Sequence, residues 1–125
     1  MRRDIRKRWV AALSSGKYPQ GRSQLATATG GFCCLGVLCE LAADEGVVTR
    51  IRTEGGIRYG DEKQRHYLPH SVILWAGIEV SNSFNPTVRR ADGSIAHLSS
   101  LNDRGDNFSQ IASAIVSDVE AGCDR

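Results

Sequence analysis

Apolar positions along this chain fall into a few short runs, and the densest is Gly30-Gly31-Phe32-Cys33-Cys34-Leu35-Gly36-Val37-Leu38-Cys39-Glu40-Leu41, which carries one charge. Cys34, Val37, Leu38 and Leu41 stand at i, i+3, i+4 and i+7, while Phe32, Cys33, Leu35 and Cys39 fill the other faces. A helix that is apolar nearly all round must be enclosed by other elements, so the segment 32–44 is expected at the centre of the fold. Gly36 in its middle costs roughly 1 kcal/mol against Ala, a loss best tolerated where another backbone packs close. Gly46 is the expected stop.

The remaining pattern places elements around that helix. Ile5, Trp9, Ala12 and Leu13 mark one face of a first helix that ends near Gly16, with Asp4 favouring its positive end. Lys17 to Arg22 reads as a turn, and Ser23 to Thr27 as a short extended piece. Val47 to Arg52 and Ile57 to Tyr59, on either side of Glu54-Gly55-Gly56, predict a hairpin, and their charges predict an exposed sheet. After a polar loop from Asp61 to Arg65, Leu68-Pro69-His70-Ser71 opens a short helix that carries Trp75 into the core and stops at Gly77.

From Glu79 to Gly93 the chain is rich in Ser, Asn and Arg, and Thr87-Val88-Arg89 is the one expected strand there. Leu98 and Leu101 anchor a further short element. Asn107 followed three residues on by Gln110 forms a capping-box pattern, opening a last helix with Phe108, Ile111, Ala112, Ile115 and Val119 on its apolar face and Gly122 as its stop. These elements predict an α+β fold, a single compact domain over 1–125 in which three or four helices surround a buried central helix and a small, mainly antiparallel sheet lies at the side.

Composition narrows the class. No apolar run reaches the ~18 residues of a membrane span, and the charged start lacks the apolar stretch of a secretory signal, so a cytoplasmic protein with no membrane partner is expected. Residues 1–22 hold seven basic side chains against Asp4 alone, a local +6 that leaves −4 for the rest of a chain whose total is +2. Such a basic end attracts nucleic acid, a phosphorylated ligand or an acidic protein surface, unless it is simply the solvated face of a helix.

Cys33, Cys34, Cys39 and Cys123 lack the paired spacing of a zinc site, and three of them sit in the apolar segment, so they are expected as buried, reduced thiols. Thr27, Thr29, Gly30 and Gly31 precede the central helix, whose N-terminal N–H groups are suited to an anion, and Tyr18, Gln20 and Arg22 are close enough in sequence to line the same pocket. The spacing matches no nucleotide-binding fingerprint, and a plain turn is the competing reading. Asn102 and Asp103 join the candidates with Arg6, against the reading of Asn102-Asp103-Arg104-Gly105 as a polar turn. His66 and His70 read as surface, and His97 lacks a nucleophile tied to it by spacing, so no catalytic set is assigned and no cofactor is expected.

Several blocks together resemble a family of small, mostly uncharacterised bacteriophage and prophage proteins: Arg6-Lys7-Arg8-Trp9, Lys17-Tyr18-x-Gln20-Gly21, Phe32-Cys33-Cys34-Leu35-Gly36-Val37-Leu38-Cys39, Leu68-Pro69 with Trp75-Ala76-Gly77, and Leu101-Asn102-Asp103 with Phe108-x-x-Ile111-Ala112. Residues 47–67 carry none of this resemblance. It implies a phage gene, and small phage accessory proteins often act by binding a host component, with blunting of antiviral defence a frequent task, either by sequestering a phosphorylated nucleotide-type signal or by blocking a host protein. Nucleic-acid binding through the basic end and a small hydrolase or nucleotide-cleaving activity are the alternatives, and self-association stays open.

Overall fold

Ile5, Trp9 and Leu13 recur at helical spacing, and in the computed structural model they form the buried stripe of α1 (Arg3–Ser14). The structure describes residues 1–60, 66–78, 86–90 and 92–118. The central helix α2 (Cys34–Asp44) buries every residue from Cys34 to Cys39 and also Ala42. Its first turn lies under the backbone of Leu25: a Cβ on Gly36 would stand 1.7 Å from the Leu25 carbonyl oxygen. Only glycine permits that approach, which also lets Cys33 N donate to Leu25 O at 3.2 Å.

The other helices gather round α2 as its apolar surface requires. α3 (His70–Ala76) and α4 (Leu98–Asp103) lie against it, and α5 (Phe108–Val116) packs along α1 and touches α4. Asn107 and Gln110 close the expected capping box, each accepting the other's backbone N–H at 2.8 Å. α3 ends on Gly77 at φ +69°, a left-handed conformation that costs glycine little.

Among the described residues two short antiparallel hairpins complete the fold. β1 (Arg50–Thr53) pairs with β2 (Gly56–Tyr59), Arg50 opposite Tyr59, and β3 (Thr87–Arg89) pairs with β4 (Ile95–His97), Thr87 opposite His97. The first hairpin is fastened to α2 through Glu40, the one charge in the apolar run. Its Oε2 accepts from Tyr59 OH at 2.8 Å and from Arg50 Nε at 2.9 Å, and Arg50 reaches Asp44 as well. Burial pushes the Tyr59 phenol far above its ordinary range, so it stays a donor to the carboxylate.

The fold is α+β as expected, with corrections of detail. Five helices are described, the central α2 and four others, which agrees with the expected three or four around it, and Leu98 and Leu101 belong to one of these, α4. The strands form two separate two-stranded sheets. Ser23 to Thr27 is not extended: Ser23 takes φ +73°, and only Ala26 and Thr27 form bridges, because the chain must bend to cross Gly36. The first sheet is not simply exposed, since Tyr59 is buried over Glu40. Trp75 is partly buried at the edge of the core beneath the Arg8 guanidinium, which stands 6.0 Å from the ring centre. The loop expected from Asp61 to Arg65, Val119 on the last helix, its stop at Gly122 and Cys123 lie outside the described residues.

Candidate functional site

Asn102 is a fully buried polar side chain, and its amide reaches two other segments of the chain. Its Oδ1 accepts from Gln20 Nε2 at 2.9 Å and from Cys34 N at 3.2 Å, while Nδ2 donates to Gly21 O at 2.8 Å. Gln20 Nε2 also donates to Asp106 O at 2.8 Å, and Asp103 Oδ1 accepts from Ser23 N at 2.8 Å. The end of α4 therefore holds both the loop 19–23 and the start of α2.

The neighbouring turn is bonded within itself. Thr27 N donates to Gly31 O, Gly30 N to Thr27 O, and Gly31 N to Thr27 Oγ1, while the Thr27 and Thr29 hydroxyls lie 3.1 Å apart. Gly21 and Gly31 face each other so closely that a Cβ on Gly31 would stand 2.9 Å from Gly21 Cα. Tyr18 meets Phe32 edge to face, with ring centres 5.7 Å apart. Gln20, Gly31, Asn102 and Asp103 are thus brought together with Tyr18, Thr29 and Gly30 on adjoining turns, and Arg22 is exposed beside them. Arg6 belongs elsewhere: its Nη2 donates to Ile115 O at 2.9 Å and to Val116 O at 3.2 Å, at the C-terminal end of α5.

The start of α2 is a closed environment. Cys34 N is bonded to Asn102, Gly36 N donates to the Cys33 thiol at 3.4 Å, and Val37 N returns to Cys33 O. The donors that would attract an anion are turned to internal acceptors. Burial pushes the Cys33 thiol up to about 11 and those of Cys34 and Cys39 well above the ordinary thiol range, so these sulfurs are packed thiols. His97 and Asp103 stand at opposite ends of α4, about 9 Å apart in helix rise, so the carboxylate does not orient that imidazole. Among the described residues no three His, Cys, Asp or Glu converge to hold a metal, and no helix is long and apolar enough to cross a membrane.

The open surface lies on the other side of α1, where it runs antiparallel to α5. Two adjoining hollows share Val10 and Val116. One, of about 380 Å³, has Arg6, Lys7 and Ala11 on its walls; the other, of about 280 Å³, continues past Ser14 toward Ser109, Ala112 and Ser113. Val116 is 60% exposed on its floor. Arg3 and Lys7 are exposed and form no ion pair among the described residues, whereas Arg2 pairs with Asp4 and Arg8 with Glu45. The sequence signal for this groove is that Val10 and Val116 each stand one residue beyond a core position, Trp9 and Ile115, and so extend the apolar stripe past the buried face.

No curated protein and no solved structure matches the chain. Residues 1–119 match the domain of unknown function DUF8296, and the chain belongs to that family.

Proposed function

We propose that this protein is a phage accessory factor that acts by binding, and that it counters host antiviral defence by blocking a host protein held on the basic face of α1 and the groove beside it. The observation that carries the reading is the groove itself, with an apolar floor at Val10 and Val116, Ala11 on its wall, and cations at Arg6 and Lys7 along one end. A protein surface with apolar contacts and acidic neighbours complements both features. The phage assignment rests on the resemblance of the sequence blocks.

A sequestered phosphorylated nucleotide is the weaker occupant. No aromatic side chain lines either hollow to stack on a base, and the N–H groups at the start of α2 are already bonded internally. Catalysis finds little support either, because the described thiols are buried and protonated and His97 stands apart from the carboxylate of Asp103.

The test is a native mass measurement on tagged full-length protein recovered from the bacterial host at low and high salt. A polypeptide retained at low salt and released at high salt is expected. Retention of a nucleotide alone, or its turnover, overturns the reading; co-purification of nucleic acid with a steep salt dependence favours the nucleic-acid alternative.

A further inference from the structure

We infer that the groove between α1 and α5 takes an acidic amphipathic helix of the partner protein, seated with its apolar stripe on Val10 and Val116 and its carboxylates toward Arg3 and Lys7; the inference rests on the binding reading above. From Arg6 to Ser14 the α1 wall spans about 12 Å, two helical turns, which is the length over which an amphipathic stripe presents positions i, i+3, i+4 and i+7. The side chains along the walls are small, Ala11 and Ser14 on α1 and Ala112 and Ser113 on α5. Small side chains at a helix contact favour the near end of the usual 8–10 Å separation of helix axes.

Charge chooses among occupants. Arg6 satisfies the last carbonyls of α5 and keeps its positive charge at the groove mouth, next to the exposed Lys7. A basic or neutral helix would leave Arg3 and Lys7 uncompensated, and an acidic one pairs with them. A parallel two-fold pairing with a second copy of this chain is disfavoured by the same argument, because it sets Arg3 and Lys7 of one copy near those of the other.

The probe is a fluorescein-labelled 15-residue helical peptide with Leu at i, i+3, i+4 and i+7 and Glu on both flanks, compared with the same peptide carrying Lys in place of Glu. Fluorescence anisotropy with the full-length protein is expected to show the Glu peptide binding at least about tenfold tighter. Val116→Glu, at a site that tolerates polarity, should abolish binding at an unchanged melting temperature, and Lys7→Glu should weaken the Glu peptide while strengthening the Lys peptide. Equal binding of both peptides, or no effect of Val116→Glu, overturns the inference. So does a concentration-dependent dimer that Val116→Glu dissolves, which would give the groove to a second copy. If the host polypeptide is lost on Lys7→Glu while the peptides are not discriminated, only the helical occupant fails; if that retention is also unchanged, the binding reading fails with it.

Discussion

Asn102 caps a helix 68 residues away in sequence: its side-chain oxygen accepts the backbone N–H of Cys34, the first residue of α2, at 3.2 Å. The same oxygen takes Gln20, and the amide nitrogen of Asn102 holds Gly21 O, so one buried amide closes the helix start and fixes the loop that crosses it. A buried amide is stable here because its donors and acceptor are satisfied at once.

Removing that amide leaves the buried Cys34 N and the half-buried Gly21 O without this partner. Asn102→Ala is expected to cost about 2–4 kcal/mol in urea unfolding, more than a surface asparagine would. A loss below about 0.5 kcal/mol would show that the capping contributes little.

Gly36→Ala reverses the ordinary sign of a helix substitution. In an open helix the change stabilises by roughly 1 kcal/mol, but here the added methyl meets the Leu25 carbonyl, whose oxygen would be 1.7 Å away. Loss of several kcal/mol, or failure to fold, is expected. A melting temperature equal to or above that of the parent would remove the close crossing from the account.

The first of these relationships was only half legible in the sequence. The apolar run, the glycine within it and the closing Gly46 are local signals, so the central helix, its burial and the need for a close backbone could be read from Cys34 to Leu41. The capping box at Asn107 and Gln110 is equally local. The roles of Asn102 and Gln20 are not, because their partners lie 68 to 86 residues away and nothing in the sequence specifies which turn an amide will meet. β4 was missed although Asp92-Gly93 is a hairpin signal, since three residues are too few for alternation to register. The groove was missed because a single exposed apolar residue such as Val116 is common on surfaces, and only the antiparallel pairing of α1 with α5 sets it beside Val10 and Lys7.

Stability should fall in alkali. The Cys33 thiol has an ordinary value of 9.0 and is raised to about 11 by burial, so between those values the unfolded chain loses a proton that the folded chain keeps. The contribution is fully present below pH 9 and is lost as pH rises through the folded value, an upper bound of roughly 3 kcal/mol for Cys33 alone. Urea unfolding of a Cys123→Ser protein from pH 8 to pH 11 checks this, with Cys33→Ala expected to flatten the decline. An unchanged slope in that variant would place the titrating group elsewhere.

Blocking a host protein through the basic face of α1 is the central claim, and charge reversal at that face tests it most directly. The measurement is the amount of host polypeptide retained by the Arg3→Glu/Lys7→Glu protein relative to the parent, at equal expression and with both melting temperatures recorded. Both side chains are exposed and form no ion pair among the described residues, so melting should stay within a few degrees of the parent. The account predicts that retention falls at least about tenfold while the fold is intact; retention equal to that of the parent in a normally melting variant would contradict it.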